Sequence, residues 1–161
     1  MQRTYPSRPL VGVGAVIIKD DSILLVRRGA PPAEGLWSLP GGSQEAGETV
    51  REAVEREVLE ECGIKVAAGH PIAVLDSIYT DGDGRIKFHY VLIDFWAEYL
   101  GGSIKAASDA AAVRWVPLRE VENYPLSRGL KEVLEALGLL APSPSLPPVG
   151  VLYSTIRGEA L

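Results

Sequence analysis

Cysteine is almost missing from this chain: Cys62 is the only one in 161 residues. That excludes an internal disulfide framework and a cysteine-built zinc site, and it points to a reducing, cytoplasmic setting. No apolar run approaches bilayer-spanning length, and residues Met1 to Pro9 (with Arg3, Pro6 and Arg8) lack the charged-then-apolar order of a signal peptide. Net positive charge is lacking as well. At a formal charge of -5, no overall basic field is available to hold a nucleic acid or an anionic membrane. An acidic protein can still bind a polyanionic substrate when metal ions bridge the two, because the ions invert the local charge. No internal repeat is visible. What is present is ordinary for a folded protein: 47% hydrophobic and 23% charged residues, in a length that suits one domain.

The runs Leu10 to Lys19 and Ile23 to Val26, separated by Asp20 and Asp21, read as a hairpin of buried strands. Gly12-x-Gly14 lacks the third glycine and the following helix of a dinucleotide fingerprint, so strand packing is its expected role. Gly29 to Gly47 is rich in Gly and Pro and reads as an ordered, functional loop. Thr49 to Cys62 contains no Gly or Pro, and Gly63 follows as a stop signal, predicting a helix. Ile72 to Thr80 and Arg85 to Tyr99 predict a long hairpin over Asp81-Gly82-Asp83-Gly84, a solvated turn rather than a calcium loop. A short strand is expected at Ala112 to Val116 and an amphipathic helix at Ser127 to Leu137. After Leu140 a Pro-rich stretch ends the expected globular part, so the division is residues 1–140 as domain and 141–161 as tail. Residues 149–161 read either as a free tail or as a strand docked on the domain or a partner.

On the first helix Val50, Ala53 and Val54 form a core-facing stripe, and one turn further the stripe reads Glu57, Glu60, Glu61. Like charges three and four residues apart repel, so this arrangement costs stability unless something neutralises it, and a hard cation with oxygen ligands would do so. Other charges on the helix have partners at i+4, Glu52 with Arg56 and Arg51 with Glu55, while Arg56 can also reach Glu60. Gly41-Gly42 lets the backbone approach a ligand closely, and Glu48 stands where a carboxylate favours the helix N-terminus.

The full spacing is Gly42-x5-Glu48-x7-Arg56-Glu57-Val58-Leu59-Glu60-Glu61-Cys62-Gly63-Ile64. It resembles the signature box of the Nudix hydrolases at every specified position. The resemblance extends to the approach Gly35-Leu36-Trp37-Ser38-Leu39-Pro40 and to Val113-Arg114-Trp115-Val116-Pro117, and so spans roughly residues 9 to 139. It implies an α/β fold, the Nudix α/β/α sandwich with a mixed β-sheet. It also implies hydrolysis of a nucleoside diphosphate linked to another group, by water attack on phosphorus, with Mg2+ or Mn2+ held by the box glutamates. By resemblance Glu57, Glu60 and Glu61 are the metal ligands and catalytic acids, with the Gly41 carbonyl a further ligand. Gly42, Glu48, Arg56 and Gly63 form the structural frame of the box, in which Arg56 and Glu48 resemble the pair that braces the loop against the helix. A later acid often completes such sites, and Asp109 is the candidate, against the plainer reading of an exposed loop residue.

Arg27 and Arg28 at a strand end, and Lys87 and His89 on one strand, are the cationic candidates for substrate phosphates, each with a surface role as the alternative. Neither histidine has a nucleophilic-serine context, which leaves a Ser-His-Asp hydrolase without support. Subclass marks past the box are not clean: Pro71 comes too early and Tyr79 is only near the tyrosine position. Length and the approach to the box resemble the small ADP-ribose pyrophosphatases, with pyrophosphohydrolases of nucleoside triphosphates or dinucleoside polyphosphates as alternatives. A nucleotide-binding sensor without catalysis is a rival of a different class, opposed by the complete acidic set. An isomerase of isopentenyl diphosphate type lacks its cysteine and histidine arrangement here. The partner expected is a small nucleotide, with a homodimer possible by resemblance.

Overall fold

The computed structural model describes residues 2–107, 110–140 and 150–160. The first apolar run becomes β1 (Leu10–Val16) and the two-residue β2 (Ile18–Lys19), and the second becomes β3 (Ser22–Arg28). These strands are continuous in apolar residues because both of their faces are covered. Val13, Ala15, Leu24 and Val26 pack into one core cluster, while Val16, Ile23 and Leu25 pack into the other.

The expected hairpin is only partly formed. β1 pairs antiparallel with β5 (Gly41–Ser43) and parallel with β7 (Ile86–Gly101), so neither of its edges is left for β3. The chain instead crosses at Ile17 into a second sheet, where β2 turns back on β3 through Ile18↔Ile23 and Lys19↔Ser22. Asp20 and Asp21 make this turn at φ 51 and 58, a left-handed conformation that aspartate tolerates and a primed hairpin turn requires.

The first sheet has the order β5-β1-β7-β6-β9 and is mixed, with β6 (Lys65–Thr80) antiparallel to β7 and β9 (Leu152–Glu159) parallel to β6. The second is built on β3, with β8 (Ala110–Pro117) on one edge and β2 and β4 (Trp37–Ser38) on the other. At the β6–β7 turn the Asp81 carboxylate accepts from the backbone N–H groups of Asp83 and Arg85, at 2.9 and 3.0 Å.

α1 (Val50–Cys62) buries Ala53, Val54, Val58 and Cys62 in one cluster, and α2 (Arg128–Ala136), capped by Ser127, buries Leu130, Val133 and Leu134 in the other. Helices therefore cover both sides of the strands, giving the α/β/α layering with a mixed sheet. No helix among the described residues is long and apolar enough to cross a membrane.

Folded structure continues past Leu140. The Pro-rich stretch 141–149 lies outside the described residues, but β9 beyond it pairs with β6 from Ala73↔Leu152 to Thr80↔Glu159. Of the readings left open for the C-terminal residues, the described part is a strand docked on the domain. It covers the edge β6 would otherwise expose, and its Ile156, 5% exposed, enters the second core cluster.

Candidate active site

α1 begins with a capping box. The Thr49 side chain accepts from the Glu52 N–H at 3.1 Å, and the Glu52 carboxylate accepts from the Thr49 N–H at 2.7 Å. The helix ends at Gly63, whose φ of 78 is left-handed and whose N–H donates to the Leu59 carbonyl. These bonds correct two expected ion pairs. Glu52 is drawn to the cap and does not meet Arg56. Arg51 donates to the Gly69 carbonyl and Glu55 accepts from the Ala68 N–H, because the start of β6 runs past this face of the helix. The buried stripe also differs in detail: Val58 and Cys62 continue it, Glu57 and Glu61 lie along its edge, half-buried, and Glu60 is exposed.

Arg56 organises the lead-in loop. Its Nε and Nη2 donate to the two oxygens of Glu48, at 2.9 and 2.6 Å, and Nη2 also donates to the Ser43 carbonyl at 2.9 Å. Nη1 donates to Glu57 at 3.0 Å and to Glu60 at 3.2 Å. The bidentate bond to Arg56, with a further bond from the Glu45 N–H, holds the Glu48 carboxyl down at about 2. Glu57 moves the other way: burial raises its pKa, against the pull of Arg56.

Glu57 and Glu61 converge on the β5 backbone. Glu61 accepts from the Gly41 N–H at 3.0 Å. Glu57 lies against Gly42, so closely that a Cβ there would overlap its carboxylate. Glycine is required at 41 for another reason, since a Cβ would strike the Val13 carbonyl of β1. Glu60 is turned toward Arg56 with its side chain 53% exposed. No three Asp, Glu, His or Cys side chains among the described residues stand close enough together to form a metal cluster. What is assembled is a pair of carboxylates, one of them desolvated, beside backbone stripped of side chains. That donor set fits a hard cation of the Mg2+ type, which takes one or two carboxylates and completes its shell with water and substrate phosphate.

The carboxylate pair lines a cavity of about 270 Å³. Its floor is the first sheet, where Gly12 and Gly14 of β1 supply no side chains, and Leu75, Phe88, Leu92 and Ile156 give it apolar walls. Of the four cationic candidates, Arg28 lines this cavity, with its Nε donating to the Pro32 carbonyl at 2.6 Å. Arg27 is exposed and is not among the lining residues. Lys87 and His89 are absent from the lining too, because Phe88, Tyr90, Leu92 and Asp94 are the β7 residues that face the cavity and strand alternation sends Lys87 and His89 to the other face. Asp109 lies outside the described residues.

Among the cavity residues that sequence reasoning missed, three bear on its chemistry. Arg3 reaches the carboxylate end and lowers the Glu57 pKa electrostatically, though secondarily to Arg56. Ser77 and Asp94 are buried polar residues on the floor, 6% and 7% exposed. The visible signal was an aspartate inside Val91-Leu92-Ile93-Asp94-Phe95-Trp96, an apolar strand with no evident reason for an acid.

Comparison with known proteins agrees with this geometry. The NUDIX domain matches residues 8–137. An ADP-ribose pyrophosphatase of Methanocaldococcus jannaschii is 38% identical over 115 residues, 70% of this chain and 64% of that protein. The chain thus spans just under two thirds of that relative. The uncharacterised Nudix hydrolase YvcI of Bacillus subtilis is 32% identical over 120 residues, 74% of this chain and 73% of that one. Among solved structures, an ADP-ribose pyrophosphatase from Streptococcus suis superposes with a TM-score of 0.62 at 28% identity, covering 92% of this chain and all of that one. With the box filled at every position and its carboxylates gathered beside a glycine-floored cavity, the chain belongs to the Nudix hydrolase family.

Proposed function

We propose that the chain hydrolyses the diphosphate linkage of a nucleoside diphosphate derivative of the ADP-ribose kind, with Mg2+ or Mn2+ as cofactor, in the cytoplasm. The observation that carries the reading is the convergence of Glu57 and Glu61 on Gly41 and Gly42 in the wall of a cavity of about 270 Å³. The ADP-ribose preference is supported by the named relatives.

A bound divalent ion would screen the oxygens around phosphorus and make a coordinated water acidic enough to attack. Glu57 and Glu61 would hold it, with Gly41 beside them and Glu60 joining on release from Arg56. The chain's own residues prepare the rest. Arg56 keeps the lead-in loop on the helix through Glu48 and the Ser43 carbonyl. Arg28 and Arg3 bring positive charge to the cavity wall, where substrate phosphates would lie. The apolar walls exclude water from the organic part of the substrate.

The test is a panel of ADP-ribose, dinucleoside polyphosphates, sugar nucleotides and nucleoside triphosphates with Mg2+, with products separated by chromatography. ADP-ribose should yield AMP and ribose 5-phosphate, and Glu57→Gln and Glu61→Gln should each lower kcat by roughly 10²-fold or more. Turnover unaffected by either change would remove the carboxylate pair from the mechanism. Asp109→Asn in the same assay decides whether that residue takes part.

A further inference from the structure

Asp94 stands in the middle of β7, opposite Gly14 of β1 and Ala73 of β6. The residue is buried, 7% exposed. No hydrogen bond or ion pair reaches its carboxyl from the described residues. Burial alone pushes its pKa up to about 7. Its oxygens are not sealed off, since no sealed side-chain oxygen among the described residues lacks a partner, but a carboxyl so withdrawn from water and unpaired still costs more than a leucine like Leu92 on the same face.

The surroundings show where the carboxyl is directed. It leans over Gly14, where a Cβ would overlap its Oδ1, so glycine at 14 makes room for the acid. It lines the same cavity as Glu57 and Glu61, two strands from Gly41 through Gly14. Beside it the walls are apolar, Leu75, Phe88, Leu92 and Ile156, with Ser77 as the other buried polar group on the floor. A few placed polar groups in an apolar pocket fix the orientation and identity of a ligand.

We propose that Asp94 is a specificity-determining residue, whose carboxyl takes a hydrogen bond from an N–H or O–H donor of the substrate's nucleoside while the diphosphate lies toward Glu57 and Glu61. This rests on the hydrolase reading above. The donor is an exocyclic amine of the base or a hydroxyl of the ribose, and both offer the same chemistry to a carboxyl oxygen. The acid stays unpaired in the protein because its partner arrives with the ligand.

The experiment compares kcat and KM for ADP-ribose, its hypoxanthine analogue (amine replaced by oxygen) and its 2′-deoxyadenosine analogue. The native chain, Asp94→Leu, Asp94→Ala and Asp94→Asn are measured side by side, with thermal melts to establish folding. The native chain should prefer ADP-ribose over one analogue by about ten-fold or more, because a site built to pair with a donor rejects a substrate without it. Which analogue fails identifies base or ribose as the source. Asp94→Leu and Asp94→Ala should bring that ratio close to one, chiefly through KM, and Asp94→Asn, which keeps an acceptor oxygen, should retain it. An equal loss on all three substrates, or none, would overturn the proposal and leave Asp94 a structural acid. If the native chain hydrolyses none of them, the hydrolase reading fails by itself. The same ratios are then required of Kd values for ADP, IDP and 2′-deoxy-ADP, and equal affinities would sink the Asp94 proposal too.

Discussion

All three guanidinium nitrogens of Arg56 are in use, joining Glu48, Ser43, Glu57 and Glu60. A lysine has no planar fork with which to hold Glu48 at two points. Arg56→Lys should therefore lower stability by roughly 2 kcal/mol, read as a fall in Tm. Glu48 carries the pH signature. Its carboxyl is depressed from the usual 4.5 to about 2, so its contribution is complete above the unfolded value and is lost as pH falls between those two values. Denaturation midpoints taken at about pH 5 and about pH 2.5 should fall further in the native chain than in Glu48→Gln. An identical fall in both would show that this pair is not part of the acid response. The box residues were legible in the sequence because their spacing is unusual. Among the partners of Arg56, Glu48 followed from the resemblance and Glu60 from helix spacing, and both are bonded; Glu52, which spacing also favours, is taken by the cap instead.

Between elements, the packing of β5 against α1 makes two adjacent glycines unlike each other. At Gly41 an added Cβ meets rigid backbone of β1, but at Gly42 it meets the Glu57 carboxylate. Gly41→Ala should destabilise the fold by about 3 kcal/mol or more, beyond ordinary overpacking, since backbone cannot move aside. Gly42→Ala should leave Tm near the native value while hydrolysis falls at least ten-fold, because it would displace Glu57, the proposed metal ligand, by about an ångström. Melting curves and initial rates on both variants check the contrast, and a similar profile for the two would contradict it. The sequence revealed α1, α2, β8 and the long β6–β7 hairpin through periodicity and turn residues. It did not reveal β4 and β5, which are two and three residues long and carry no alternation. It also could not say which face of β7 lines the cavity, because Phe88 on one face and Ile93 on the other are both apolar, with Lys87 and His89 on the Ile93 face of a strand packed from both sides.

For the molecule as a whole, the element left undecided by the sequence is β9, which lies beyond the matched domain at residues 8–137 yet supplies a cavity wall. Ile156→Ala should destabilise by roughly 2 to 4 kcal/mol, as for other buried aliphatic truncations. It should also raise KM, since the same side chain lines the cavity; a change in Tm without one in KM would separate the strand from the site. Its sequence was indecisive because a short strand after a Pro-rich stretch looks the same whether docked or free. The floor of the cavity is assembled from β1, β6, β7 and β9, and these strands join in two different ways. β6 and β7 meet across a short turn, whereas β1 reaches β7 through Leu10↔Tyr90 and β9 reaches β6 through Ala73↔Leu152. Closing such long loops is slow compared with zipping a local hairpin. During refolding, the tryptophan environment of the hairpin should therefore mature ahead of nucleotide affinity, because the binding surface exists only after distant segments have found their places.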